Sequence, residues 1–317
     1  LVEPAADPVH ALRRGAAPAR GRGSRRIGED GSRLTAFQPT KWLPGALRGS
    51  DRALDRAIAR WAGRHGSPDV VWINDPRRVG VLDLLESPAL YDVTDDWTAA
   101  VRPHREAARI AEGDRRALAL ADRLVVCSPA LHSARGGTLI RNAVDVDRYR
   151  TPVPRPVDLP ERAVVYCGTL HEDRLDVDLC AALARDLHQR DSHLTLVGPI
   201  ALAEGNAARL AHTPGLRMLG ARSYDQIPGY LQHASVLVVP HLVDRFTDTL
   251  DPIKLYEYMA MAKPLLASDF ADARQLVEGR DTGFLFAADQ PESLKAALRR
   301  VHAERYRLPR MGQAARS

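Results

Sequence analysis

Residues 248–264 read Asp248-Thr-Leu-Asp-Pro-Ile-Lys-Leu-Tyr-Glu-Tyr-Met-Ala-Met-Ala-Lys-Pro264. Pro252 suits the first turn of a helix, and Asp251 in front of it suits the N-cap. The amides of that first turn and the positive end of the helix form an anion site. Lys254 adds a full charge one turn in. Glu257, three residues further on, lies on the same face and can accept hydrogen bonds from two ribose hydroxyls. Phosphate first and ribose next is the order of a nucleoside diphosphate. The same spacing also fits an ordinary amphipathic helix with a surface Lys254–Glu257 pair.

Around this helix, short apolar runs alternate with amphipathic stretches, the pattern of βαβ units and parallel sheets. The second half predicts strands at Ala163–Cys167, Leu194–Val197, Arg217–Leu219, Val236–Val239, Leu265–Ala267 and Phe284–Phe286. Helices are expected over 176–190, 224–233, 253–262 and 291–303. Upstream, Tyr149–Pro160 contains four prolines, which suppress both helix and ladder bonding and mark a linker. The first half predicts strands at Arg33–Phe37, Val70–Ile73, Ala89–Val93 and Leu124–Cys127, and helices over 51–64 and 102–121. The Arg-, Gly- and Ala-rich segment from about 8 to 32 reads as a loop. The expected division is a first domain over 1–150, a hinge over 151–160 and a second domain over 161–317. Two doubly wound parallel-sheet domains joined this way place a cleft at the carboxyl ends of their strands.

The 317 residues suit two domains, and 45% of them are hydrophobic, enough for ordinary cores. There is no apolar run of about 18 residues to span a bilayer, and no signal-peptide pattern at the start. The expected location is therefore the cytoplasm. The net charge of +5 is uneven: residues 1–66 hold 13 Lys and Arg against 6 Asp and Glu. Such a basic first part suits a phosphate-bearing acceptor or peripheral contact with an anionic membrane, and equally a solvated Arg-rich loop. Nucleic-acid binding is disfavoured, because no helix-turn-helix, RRM or zinc pattern accompanies the charge. Cys127, Cys167 and Cys180 form no C-x-x-C pair, so zinc and dithiol chemistry are not expected, and all three read as core thiols. The eleven histidines show no H-E-x-x-H spacing. His171 is the histidine placed closest to the second-domain site, with an exposed side chain. No P-loop, G-x-S-x-G or G-x-G-x-x-G is present.

The stretch DPIKLYEYMAMAKPLLAS resembles the donor-site motif of GT-B glycosyltransferases, a group that includes retaining family 4 enzymes and bacterial polysaccharide and teichuronic-acid-type transferases. There the pattern is roughly P-x-K-x-x-E-x-x-A-x-G-x-P-V-V. The resemblance implies an α/β GT-B fold and metal-independent transfer of a sugar from a UDP-, GDP- or TDP-sugar to a hydroxyl of a glycan, polyprenyl-linked or small-molecule acceptor. It assigns the ribose to Glu257 and the diphosphate to Lys254 and nearby amides. It further implies a donor pocket that includes Gly168, Thr169, Arg174, Arg222, Asp251 and Leu255. Thr249 stands where many members carry a second Glu, which Asp248 or Asp251 would replace. Lys263 stands where Gly is common.

Other segments follow in family order. VVYCGTLHEDRLDVDL (164–179) resembles the first strand and loop of the donor domain. LGARSYDQIPGYLQHASVLVVPH (219–241) resembles the segment that cups the base, with Tyr224 either stacked there or packed. LVVCSPALHSARGGTLIRNAVDVDRY (124–149) resembles the last acceptor-domain strand, with Ser128 on its loop, and the turn before the hinge. ALYDVTDDW (89–97) resembles a YDxxDDW-like sequence of exopolysaccharide transferases and offers Asp95 and Asp96 as general base or acceptor-orienting groups. The same two aspartates also suit a cap for the helix expected at 102. Asp145-Val-Asp147 and Asp176-Val-Asp178 spell D-x-D, but hinge and helix-start positions explain them better than a metal site. Leu1-Val2-Glu3-Pro4 resembles the end of a second strand, which implies a preceding strand, loop and helix on the order of 30 residues. The family also continues into a further helix beyond GQAARS. Two readings beside transfer remain open: a non-catalytic nucleotide-sugar-binding protein of this fold, and a nucleotide-sugar epimerase.

Overall fold

The structure, a computed structural model, describes residues 1–8, 11, 17, 20–27, 34–42, 49–278, 281–304, 306, 307, 310 and 311. The chain divides into two compact units, Leu1–Val93 with Arg102–Val125, and Thr94–Val101 with Val126–Ser317.

In the first unit, β1 (Gly23–Arg26) pairs antiparallel with β2 (Thr35–Gln38). The loop expected over 8–32 is thus corrected at Gly23–Arg26. Ladder bonds to a neighbouring strand order a segment whose Ser and Arg side chains alternate in exposure, a pattern too polar to register as strand from sequence. The expected strand start at Arg33 lies outside the described residues. A helix, Ser50–Gly63, leads to β3 (Val71–Ile73) and β4 (Ala89–Val93), which are parallel. The helix His104–Leu120 begins just after Pro103 and returns the chain to β5 (Arg123–Val126), beside β4.

The second unit begins with a helix, Pro129–Arg135, capped by Ser128, then β6 (Thr138–Leu139) and a short helix, Val146–Arg150, capped by Asp145. The proline-rich segment that follows is irregular up to β7 (Ala163–Cys167). Next come β8 (Leu170–His171), β9 (His193–Val197), β10 (Ile200–Ala201), β11 (Leu216–Gly220), β12 (Val236–Val239), β13 (Leu265–Ser268) and β14 (Gly283–Phe286). Six of these form one sheet in the order β11-β9-β7-β12-β13-β14, with every pairing parallel. The strand order reverses direction between β7 and β12, the doubly wound arrangement whose switch point opens a crevice at the strands' carboxyl ends.

Helices cover both faces of this sheet, which is why its strands read as unbroken apolar runs. Val164, Tyr166, Val236, Val238 and Leu266 pack on one face, with the helix Val177–His188 and the helix Pro291–Ala303. Ala163, Val165, Cys167, Leu237, Val239, Leu265 and Ala267 pack on the other, against Leu255, Tyr258 and Met259 of the helix Ile253–Ala260. A further helix, Glu204–Ala211, was not expected from the sequence. Its Ala-rich face gives little periodic contrast.

The helix Ile253–Ala260 is fastened to β7 by a buried hydrogen bond in which the Cys167 amide donates to Tyr258 Oη at 2.8 Å. Tyr258→Phe leaves that amide buried and unpaired, so it is expected to destabilise the protein by about 1–3 kcal/mol in chemical denaturation. An unchanged midpoint would show that another acceptor reaches Cys167. Among the described residues no helix is long and apolar enough to cross a membrane.

Candidate active site

The site is built at the carboxyl end of β7. Gly168 has φ of +144°, open to glycine but not to side chains. A methyl group there would meet Lys254 Cε at 3.1 Å and Nζ at 3.3 Å. The lysine of the helix Ile253–Ala260 therefore lies directly over the backbone of the β7 loop. Gly198, after β9, makes a second close approach: a Cβ would stand 2.1 Å from the Gly168 carbonyl oxygen. This tight stack sets the path of Gly168 and Thr169, whose carbonyl accepts from Tyr166 Oη at 3.4 Å.

Lys254 is half-buried, with Nζ 5.3 Å from the centre of the Tyr166 ring. Burial pushes its ammonium down to about 8, and Arg174 adds to that, while Glu257, Cys167 and Asp95 pull the other way. Arg174 lies over the Phe246 ring at 5.2 Å, and its Nη2 donates to Asp95 Oδ2 at 3.4 Å. Arg174 Nε and Asp173 Oδ1 are buried and face each other as an ion pair at 3.9 Å, too far for a hydrogen bond. Two cations thus converge on one small region, the arrangement an anion site requires.

Glu257 follows one turn after Lys254, and the buried Tyr149 hydroxyl donates to its Oε1. Burial, and then the Glu257 carboxylate, hold the Tyr149 phenol far above its ordinary range, so it remains a donor. Tyr149 was not singled out by the sequence, since its partner is 108 residues away.

Asp95 and Asp96 separate in the structure. Burial raises Asp95 above the ordinary carboxylate range, with Arg174 opposing. Asp96 instead accepts from Arg135 Nη2 at 2.8 Å and from the Thr98 amide at 3.1 Å. It fixes a local turn, and neither aspartate caps the helix His104–Leu120, whose cap residue is Pro103. The segment is seated on the site's own loop by Trp97, 6.1 Å from the Phe246 ring, and by Ala100 packed with Phe246 and Leu250.

Three residues expected at the donor site are engaged within the protein, and the helix cap expected of one of them is corrected. Asp251 does not cap the helix, which has Pro252 at its cap position and no side-chain cap bond. The residue is 4% exposed, and its carboxylate accepts from Arg141 at 2.8 Å, the Asn142 amide at 2.7 Å and Tyr256 Oη at 2.6 Å. Arg141 also holds Asp272, which burial and the neighbouring Asp251 push up to about 7 against Arg141's pull. Arg222 donates to Asp158, Tyr230 and the carbonyls of Leu219 and Ala221, so most of its guanidinium is engaged within the protein. The Leu255 side chain lies in the core, and its amide closes the helix's first turn on the Pro252 carbonyl at 3.0 Å.

Other candidates resolve locally. Ser128 is buried and donates to the Thr249 carbonyl at 2.7 Å. Asp248 accepts from the Ala271 amide at 2.8 Å. Asp145 and Asp176, the first residues of the two D-x-D pairs, both cap helices. Tyr224 is exposed, with the Arg148 guanidinium 3.9 Å over its ring. All three cysteines are free and buried, and burial pushes Cys167 up to about 12. His171 is exposed. The histidine that does lie in this neighbourhood is His241, at the end of β12, with its ring 6.1 Å from those of Tyr166 and Phe270.

Solved structures share this architecture. Sucrose-phosphate synthase from Thermosynechococcus elongatus matches with a TM-score of 0.68 at 17% identity, over 92% of this chain and 80% of that one. HepE from Anabaena, in complex with UDP and glucose, matches with a TM-score of 0.68 at 19% identity, over 89% of this chain and 80% of that one. Trehalose 6-phosphate synthase from Burkholderia multivorans gives 0.59 at 13% identity, over 92% and 81%. The fold is therefore GT-B, of the α/β class that the order of motifs implied. Residues 161–304 match the family described as Glycosyl transferases group 1. That match covers a little under half of the chain. No curated protein matches the sequence significantly.

Proposed function

We propose that the chain transfers a glycosyl unit from a nucleoside-diphosphate sugar to an acceptor hydroxyl, without a divalent metal. The reading is carried by one observation: Lys254 and Arg174 converge beside Gly168 at the strand switch point, with Glu257 one helical turn further along. Lys254 and Arg174 hold the diphosphate and stabilise the negative charge that develops on it as it leaves. Glu257, aimed by Tyr149, accepts hydrogen bonds from the ribose. Asp95 takes the acceptor hydroxyl proton as the acceptor oxygen bonds to the anomeric carbon and the bond from that carbon to the diphosphate breaks. Arg174 touches both Asp95 and the proposed phosphate position, which couples base and leaving group through one guanidinium.

The solved HepE structures hold UDP with glucose, or UDP-glucose. A uridine nucleotide is accordingly the first donor to test, followed by guanosine and thymidine nucleotides. The acceptor is a glycan, a polyprenyl-linked or a small-molecule hydroxyl. The basic residues among positions 1–66 suit peripheral contact with an anionic membrane from the cytoplasmic side.

A thermal-denaturation panel with UDP, GDP and TDP tests this reading. A bound nucleotide at about 100 times its dissociation constant adds roughly 2.7 kcal/mol of stability. Glu257→Ala is expected to lose most of that gain. A wild type unmoved by all three nucleotides, or a Glu257→Ala variant that responds as wild type does, would overturn the assignment.

A further inference from the structure

A buried carboxylate is stable when it has its own cation or enough donors. The cluster around Arg141 departs from that rule. Arg141 Nη2 donates to Asp251 Oδ1 at 2.8 Å and to Asp272 Oδ2 at 2.9 Å. Both aspartates are 4% exposed. A single guanidinium nitrogen therefore serves two buried carboxyl groups and makes them close neighbours.

Their other partners are unequal. Asp251 also accepts from Tyr256 Oη at 2.6 Å and from the Asn142 amide at 2.7 Å, and those donors favour its charged form. Asp272 has the pull of Arg141 but faces the carboxylates of Asp251 and Asp248. Asp248 is itself turned to the Ala271 amide. Burial, and then Asp251, hold the Tyr256 phenol above its ordinary range, so it stays neutral. Gln275 accepts from Arg141 Nη1 at 3.3 Å and brings no charge. Two carboxyls that meet on one cation do not both ionise at ordinary cost. The proton falls to the one with fewer donors, Asp272, which burial and Asp251 push up to about 7. Protonated, Asp272 is a donor for Asp251.

The two carboxyls belong to different segments. Asp251 immediately precedes Pro252, the cap position of the helix Ile253–Ala260. Asp272 lies in the short helix Ala271–Ala273, beyond β13. We propose that Asp251 and Asp272 hold one proton between them as a pH-sensitive latch, which ties the start of the helix Ile253–Ala260 to the segment Ala271–Ala273 and loosens when that proton leaves to solvent. Asp272 binds its proton more tightly in the folded chain than in the unfolded one. The stabilisation is therefore full below 3.8, the ordinary value for Asp, and is lost as pH rises through about 7. The opened form stays a minor population, so nucleotide affinity does not register it.

Urea denaturation of the full chain without nucleotide, from about pH 4.5 to 8.5, compares wild type with Asp272→Asn. Asparagine keeps a donor toward Asp251 and an acceptor toward Arg141 but has no proton to lose. The variant's folding equilibrium constant relative to wild type should grow by up to about tenfold per pH unit as far as about pH 7, then hold level. Carbon NMR of wild type, isotope-labelled at its aspartate carboxyls, gives a readout that needs no variant. Two resonances should titrate with a shared midpoint near neutrality, the mark of one proton held by two sites. In Asp272→Asn that shared transition should be gone. A stability difference that is the same at every pH would overturn the latch, as would a wild type in which no two aspartates share a midpoint near neutrality. Either result leaves the roles of Lys254 and Glu257 at the donor site untouched.

Discussion

Replacing Asp95 by Asn is expected to slow transfer by about 10²–10⁴-fold while leaving nucleoside diphosphate affinity unchanged or somewhat higher. Asparagine keeps the shape of the side chain but cannot take a proton. It also removes the negative charge beside Arg174 Nη2, so the attraction of that cation for a diphosphate does not fall. The pH profile separates this from general damage. Burial raises the Asp95 carboxyl, so the wild-type rate should climb with pH as that group deprotonates, and then fall as Lys254 loses its proton near 8. The variant's residual rate should lack the acidic limb. Turnover within a few-fold of wild type, or a parallel loss of nucleotide binding, would remove Asp95 from the role of base.

Lys254→Met should weaken nucleoside diphosphate binding by about 10–100-fold, the usual worth of a charge-assisted contact. In wild type, the diphosphate selects the ammonium form. Free protein holds that form below about 8 and loses it above. Affinity should therefore be nearly flat from pH 6 to 7 and fall by up to about tenfold per pH unit above 8, until the raised value of the bound state is reached. Lys254→Met should be flat across the whole range. Isothermal titration between pH 6.5 and 9.5 reads both effects. A wild type whose affinity does not change across that range would show that Lys254 does not meet the diphosphate.

Most of the second unit's sheet was legible because its strands are covered on both faces, and Val164-Val165-Tyr166 or Val236-Leu237-Val238-Val239 carry that fact as uninterrupted apolar runs. The helix after Pro252 was legible from proline's fixed geometry, and Gly168, Arg174 and Lys254 fell near one another because each lies on a loop or first turn at the same sheet edge, with Glu257 one turn further along the helix. What escaped depends on partners distant in the chain. Asp251 before a proline looks like a cap until Arg141 and Asn142, 110 and 109 residues upstream, take its oxygens. Arg222 looks available until Asp158 and Tyr230 take its donors. Asp96 cannot be told from Asp95 without Arg135. His241 carried one faint signal, a polar residue two positions after a buried strand, and only its unpartnered ring nitrogens make it stand out.

The grip of Arg141 on Asp251, Asp272 and Gln275 has a practical consequence. A guanidinium that meets none of the proposed substrate groups fastens the segment from which Lys254 and Glu257 project. Genetic screens for lost transfer would recover changes at position 141 alongside those at 254 and 257, and the three would look alike by phenotype. Melting curves taken without nucleotide would sort them: the arginine variants should melt early, while the lysine and glutamate variants should keep their shape and merely ignore the donor.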